Sequence, residues 1–453
     1  MDSQDARFSP DFFRRPTMAE LLRRVQAIRA QNRVHPVIVA FCFSDELPLK
    51  ACLEGCQEAG AVPVILATTN QVNMDGGYAG LTAAGFVDMV KGLAGDVGYD
   101  GPIVFGRDHG GPFIVASHKS WPRSEEMAWI KENIRLDLEA GFTCWHADGT
   151  TGRDDELEDG KLPVSMIAET TLELIRFCEK ERKRQDIGPI AYEAGSEEQQ
   201  GGLTAPGSFD ACLGLLQSGM EQEGLEEAGL DFMVAQTGTH MQLHYNEQGG
   251  AFELVQDGFR PGQVQVLDQV AQKYRSPRHA ILFTQHYSDH ITAADAAALR
   301  RFGAGKVNFG PEMTMPELRL LLQWEKKERE VLQQHGSPEK ASGFARTMLE
   351  HMDSRPQTWR PFVPAAAGFP QGGPESVFAL EPEAREALLI FRGRYVKSLP
   401  RCRAAAERLL ENLAALEIEP HPARTIMDTV KEQTVLPRLE QFHMTHFLEP
   451  LSE

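Results

Sequence analysis

The sequence predicts a (β/α)8 TIM barrel followed by a helical C-terminal extension, and three observations carry that prediction. Over roughly the first 330 residues a short apolar run, a polar tip and a helical stretch follow one another repeatedly. The apolar runs are continuous and do not alternate strictly with polar residues, which suits parallel strands covered on both faces. Their number is eight, more than a doubly wound sheet usually carries, and no G-x-G-x-x-G follows the first of them.

In chain order the runs are "PVIVAFCFS" (36–44), "PVILATT" (63–69), "PIVFGRDH" (102–109), "CWHADGT" (144–150), "IAYEAG" (190–195), "DFMVAQTG" (231–238), "AILFTQH" (280–286) and "KVNFGP" (306–311). The segments between them include helical stretches at 46–60, 124–140, 164–184 and 314–333. From about 335 the rhythm changes: a helical segment broken by prolines, a Pro/Gly-rich crossing through "FVPAAAGFPQGGPESVFALEP", and a strongly helical 382–415. The expected organisation is a barrel with an N-terminal helix over 1–334 and a helical extension over 335–453.

Composition narrows the class of function. The chain has 453 residues, 42% of them hydrophobic and 25% charged, as in an ordinary folded domain. A formal charge of −19 argues against nucleic acid or an anionic membrane as partner. No apolar run approaches the ~20 residues of a membrane span. The opening "MDSQDARFSPDFFRRP" has no signal-peptide core, so a cytoplasmic location is expected. Seven cysteines, an odd number without zinc-type clustering, read as reduced packing residues.

In a (β/α)8 barrel the chemistry sits at the C-terminal ends of the strands. Those tips carry Ser44 and Asp45, Thr69 and Asn70, Asp108 and His109, His146 and Asp148, Glu193 and then Glu197, Gln236 and His240, His286 and Asp289, and finally Asn308. A single strand-end histidine is more commonly a packed or hydrogen-bonded residue. Three on one rim are what a zinc-type cation needs, with an open position left for substrate. His109, His240 and His286 form the expected metal set, and Glu197 is a further ligand or an outer partner. Asp108 is placed as the acid/base. Asn70, His146, Asp148, Gln236, Asp289 and Asn308 are expected to contact substrate. The glycines of "GG" after His109, of "TGT" before His240 and of "NFGP" would let backbone N–H groups approach phosphate or sugar oxygens. His118, His244, His290 and the charged "GRDDELEDG" loop read as structural.

At "ATTNQVNMDGGYAGLTAAGF" followed by "GRDHGGP" the sequence resembles the large, so-called non-catalytic subunit family of class II D-tagatose-1,6-bisphosphate aldolase, GatZ/KbaZ. The resemblance continues through "HADGT", "GSEEQQGG", "AQTG", "HYSDHIT", "GPEMT" and "ARTIMDTV", and so spans nearly the whole chain. More distantly, the chain is similar to catalytic class II ketose-bisphosphate aldolases. That resemblance implies Asp108 as proton carrier, His109, His240 and His286 as zinc ligands, and Asn308 in contact with substrate. "HYSD" stands where the catalytic pattern has a small-residue turn.

The resemblance implies tagatose- or galactitol-type carbohydrate metabolism and a divalent metal, Zn2+. The expected substrate is a ketose or ketose phosphate, and the reaction is retro-aldol cleavage (a lyase) or C4-epimerisation (an epimerase). The alternative is a non-catalytic assembly subunit that binds a catalytic aldolase subunit. A homo-oligomer is expected in either case. No P-loop or kinase Gly-loop supports a sugar kinase.

Overall fold

Eight short strands close into a parallel barrel because each is apolar on both faces: one face lines the interior and the other lies under helices. They are β1 (Ile38–Cys42), β2 (Val64–Thr68), β3 (Val104–Asp108), β4 (Phe142–Ala147), β5 (Ala191–Gly195), β6 (Phe232–Val234), β9 (Leu282–Gln285) and β10 (Ala304–Phe309). This computed structural model describes residues 8–9, 11–31, 35–42, 45–196, 203–225, 227–246, 251–276, 279–363 and 373–448, and over 240–257 the backbone alone. The barrel closes where β1 pairs with β10, Ala40 lying opposite Asn308.

All eight predicted runs became barrel strands. The helical predictions correspond to α2 (Glu46–Ala59), α4 (Arg123–Ala140), α5 (Val164–Arg184) and α9 (Pro311–Gln334). The remaining helices outside the strands are α1 (Met18–Gln31), α3 (Ala83–Asp96), α6 (Pro206–Gln222), α7 (Pro261–Gln272) and α8 (Ala293–Arg301). One element was not foreseen. Between β6 and α7, β7 (His240–Asn246) and β8 (Ala251–Asp257) form an antiparallel hairpin outside the barrel. His240 and His244 both lie on β7, so no helical H-x-x-x-H pair exists there.

Strand period sorts the side chains. On β3, Arg107 points outward and forms a bidentate ion pair with Asp137 of α4, at 2.6 and 2.8 Å, and Asp137 also accepts from Trp145 of β4. Asp108, its neighbour, therefore points inward at the strand tip. The same alternation brings His146 of β4 beside Glu193 of β5 in register, and carries Lys306 and Asn308 along the inner face of β10.

After Gln334 the described elements are helical: α10 (Phe344–Asp353), α11 (Pro382–Arg392), α12 (Arg394–Lys397), α13 (Pro400–Ala415), α14 (Pro422–Val430) and α15 (Leu436–Gln441), with short 3-10 and π turns. They share one continuous core with the barrel: Val39 and Val307 belong to the same buried cluster as Met348, Trp359, Leu388, Leu409 and Val430. All seven cysteines are buried, unpaired thiols. No described helix is long and apolar enough to cross a membrane.

Candidate metal centre

Asp108, His109, His146 and His286 converge at the C-terminal rim of the barrel, with one potential ligand atom from each lying within 4.8 Å of the others. Asp108 Oδ1 is 3.6 Å from His109 Nε2, 3.5 Å from His146 Nδ1 and 3.7 Å from His286 Nε2. Ligands about 2.0–2.1 Å from a shared tetrahedral centre lie roughly 3.3–3.4 Å apart, and the candidate ligand atoms here, within 4.8 Å of one another, are spaced somewhat wider than that. Asp108 Oδ1 is buried with no hydrogen-bond partner, and so is His146 Nε2. Three imidazoles gathered around a buried carboxylate oxygen that no hydrogen bond satisfies are a setting that suits a divalent cation, the imidazoles offering the ligand atoms and the carboxylate standing beside them. On that ground the residues present fit a metal.

Neighbours fix the orientation of the imidazoles. Asp148 Oδ2 lies 2.8 Å from His109 Nδ1, which turns Nε2 toward Asp108, the arrangement in which an outer carboxylate orients a metal-ligating histidine. The His109 backbone N–H donates to His146 Nδ1 at 3.3 Å. His286 Nε2 stands 3.4 Å from Glu193 Oε1, while Glu193 Oε2 pairs with the Lys306 ammonium just beneath. His109 adopts φ 53°, as Phe113, Tyr287 and His290 near the same rim adopt φ values of 59°, 52° and 58°. Left-handed non-glycine backbone of this kind concentrates where side-chain placement outranks backbone comfort.

The electrostatics follow from burial and charge together. Burial resists ionisation of Asp108, but His109, His286 and His146 hold its carboxyl well below the usual range. Burial likewise opposes the His109 imidazolium, yet Asp108, Asp148 and Glu193 outweigh it and push its pKa up to about 9. His286 is lowered, chiefly by burial. Glu193 falls to about 2 because Lys306 overcomes its desolvation, and Lys306 is raised in turn. The carboxylates thus draw positive charge, a proton or a cation, onto this rim.

A cavity of about 350 Å³ opens over the cluster, lined in part by Cys42, Asn70, Asp108, His109, His286, Asp289 and Asn308. Asn308 has both side-chain polar atoms buried and without partners. Asn70 Nδ2 donates to the Ile114 carbonyl at 3.2 Å. Asp289 Oδ1 accepts from the Gly310 and Glu312 N–H groups at 3.0 and 2.7 Å, holding the start of α9. Gln236 is buried beside Thr204, whose hydroxyl accepts from its N–H at 2.7 Å, and is not among the cavity-lining residues. Glu197 lies outside the described residues, as does the His240 side chain. Among the described residues the third imidazole of the cluster is His146, which the sequence reading put with the substrate contacts.

The glycines serve two purposes. A Cβ on Gly111 would lie 1.7 Å from the Asp148 carbonyl oxygen, and one on Gly110 would meet the Trp145 ring, so "GG" allows the turn after β3 to pack on β4. Gly310 admits a cation: a Cβ there would lie 2.8 Å from Arg394 Nη1. Sequence reasoning missed Lys306, Cys42 and Lys119 among the residues in or under the cavity, and missed Arg394 and Tyr395, which arrive from the extension. The "KVN" alternation was a signal for Lys306, since a lysine two residues before an inward asparagine faces the same way. His118, by contrast, is spent on Glu126 at 2.8 Å and on stacking with Trp121.

A closed parallel barrel with an Asp/His3 group on its C-terminal rim is a (β/α)8 barrel protein with a candidate metal site. Residues 22–435 match the family described as D-tagatose-1,6-bisphosphate aldolase subunit GatZ/KbaZ-like, and the chain belongs to that family. It is 24% identical over 389 residues to the D-tagatose-1,6-bisphosphate aldolase subunit GatZ of Salmonella heidelberg (strain SL476), covering 83% of this chain and 84% of that one. The Salmonella typhimurium LT2 protein of the same name is 24% identical over 392 residues, covering 84% of each. Among solved structures, a "probable tagatose 6 phosphate kinase" from Sinorhizobium meliloti 1021 aligns with TM-score 0.64 and 21% identity over 91% of this chain and 97% of that one. Fructose-bisphosphate aldolase from Campylobacter jejuni aligns with TM-score 0.51 and 13% identity over 95% and 96%. These two likenesses establish the shared fold.

Proposed function

We propose that the chain is a class II aldolase-type, divalent-metal enzyme that cleaves or C4-epimerises a ketose or ketose phosphate, with zinc as the metal. The convergence of Asp108, His109, His146 and His286 under an open cavity carries this reading. His109, His146 and His286 would hold the metal, which supplies a Lewis acid toward the substrate's carbonyl and hydroxyl oxygens. Asp108 takes the C4 hydroxyl proton to begin retro-aldol cleavage and returns it in the synthetic direction. Asp148 keeps His109 in the ligating orientation. Asn308, with its amide unspent, donates to and accepts from sugar hydroxyls. If the fragments stay bound and one turns before they rejoin, the same groups invert C4. Lys306 supports the metal reading over Schiff-base chemistry: paired with Glu193 it is held as an ammonium, which is not a nucleophile.

A second reading, an assembly subunit acting through a catalytic partner, is favoured by the word "subunit" in the names of the relatives. One experiment separates the two. The purified chain alone, loaded with zinc, is incubated with fructose 6-phosphate, tagatose 6-phosphate and tagatose 1,6-bisphosphate and followed by NMR. A changing sugar spectrum that slows by about two or more orders of magnitude in Asp108→Asn supports the enzyme. Static spectra for all three sugars support the assembly role, and wild-type rates in the variant remove Asp108 from the mechanism.

A further inference from the structure

The extension places one arginine in the cavity wall in an unusual state. Arg394, the first residue of α12, lines the same cavity as Asp108 and Asn308, and its Nη1 reaches the end of β10 at Gly310. Three buried arginines are engaged by the fold around them. Arg107 binds Asp137 twice and two backbone carbonyls, and Arg438 binds Glu312 and the Ile291 carbonyl. Arg392 donates to the Thr358 carbonyl and lies over the Phe362 ring at 3.9 Å. Arg394 donates only from Nη2, to Tyr395 Oη at 2.9 Å; its Nε is buried without a partner, and it forms no ion pair among the described residues. Burial raises the Tyr395 phenol, and Arg392 and Arg394 lower it, to about 8. Asp289, also in the wall, spends Oδ1 on two backbone N–H groups.

A guanidinium in the wall of a substrate-sized cavity that pairs with no described carboxylate matches the planar, two-oxygen edge of a phosphate or carboxylate. Lys119 is the lysine among the residues lining the cavity, but it is exposed and its Nζ already meets the Gly152 carbonyl at 2.6 Å; His109 in the same lining is turned to Asp148. We propose that Arg394 binds the anionic end of the substrate, so that the helical extension, and not the barrel, sets the preference for a charged sugar over a neutral one. This inference rests on the reading of the cavity as a sugar site. It adds that the chain beyond the barrel supplies the specificity group.

The test uses open-chain six-carbon probes with no ketone, so turnover plays no part and the result stands apart from whether the chain is an enzyme. Dissociation constants for sorbitol, sorbitol 6-phosphate and gluconate are measured by calorimetry on the full-length chain, wild type and variants. The expected result is that at least one anion binds wild type roughly ten- to hundredfold tighter than sorbitol, the scale of losing hydrogen bonds to a charged group. Arg394→Gln removes that preference, Arg394→Lys keeps part of it, and Lys119→Met keeps it. Preference for sorbitol 6-phosphate identifies a phosphate end and preference for gluconate a carboxylate end, and either supports the proposal. No anion preference in wild type, or a preference retained in Arg394→Gln, overturns it. So does a preference lost in Lys119→Met alone. Should Arg394→Gln fail to fold, Arg394→Lys must still lose several-fold of the preference, because a lysine cannot reproduce the two-pronged contact; full retention there overturns the proposal.

Discussion

Asp148 serves the site through the ring it holds. Its carboxylate faces His109 Nδ1 at 2.8 Å and accepts from the Thr150 N–H at 3.0 Å, so the His109 ring is locked with Nε2 toward Asp108. Asp148→Asn keeps the Thr150 contact but weakens the hold on the ring. Metal affinity is expected to fall by roughly 10–100-fold, with the circular dichroism spectrum unchanged, as read by competition with a chromophoric chelator. Asp108, His109, His286 and Asn308 were legible in the sequence because each ends an apolar run, where barrel geometry places chemistry. His146 was legible as a site residue, but its place beside Asp108 depends on the register of β3 and β4, which no local pattern encodes. Arg394 and Tyr395 were not legible at all. They sit more than eighty residues beyond the last strand, and only the path of the extension brings them back to the barrel mouth.

At the scale of elements, the buried ion pair between β3 and α4 fixes which face of β3 points inward. Arg107 spends its guanidinium on Asp137 and on the Ala67 and Val72 carbonyls, and Asp137 also takes the Trp145 N–H. β2, β3, β4 and α4 are thereby tied at one point on the outer face of the barrel, beside the rim that carries Asp108. Arg107→Ala leaves Asp137 buried and unpaired, and the expected cost is about 3–5 kcal/mol, measured by urea unfolding. A change within 1 kcal/mol would show that the pair does not organise β3. The strands and long helices were readable because continuous apolar runs and amphipathic stretches are local signals. The β7–β8 hairpin was missed for a physical reason. It lies outside the barrel, and its "HMQLHYN" alternates polar and apolar residues, the period of a half-buried strand, where the barrel strands are continuous apolar runs.

At the scale of the molecule, the extension is part of the core and not an appendage. Phe344, Met348, Trp359, Leu388 and Leu409 are buried in the same cluster as the barrel strands, and α14 packs on both α2 and α9. Lys397 of α12 ties this layer down through buried contacts with Glu317 of α9 at 2.7 Å and Asp45 before α2 at 3.2 Å. A chain ending at Gln334 would expose those apolar faces together. Residues 1–334 expressed alone are therefore expected to aggregate or to lack cooperative unfolding, as followed by calorimetry; a soluble, cooperatively melting fragment would contradict the single-core account. Composition could announce a helical tail after the last strand, but not that the tail would cover the barrel and supply part of its mouth.

The central claim is that the rim cluster is a metal centre, and elemental analysis of the purified chain dialysed against zinc tests it most directly. The account predicts about one divalent ion per chain, lost together in His109→Ala, His146→Ala and His286→Ala. His240→Ala belongs in the same series: retention there assigns the third imidazole to His146. Wild type that emerges without metal, or variants that all keep full stoichiometry, would contradict the account.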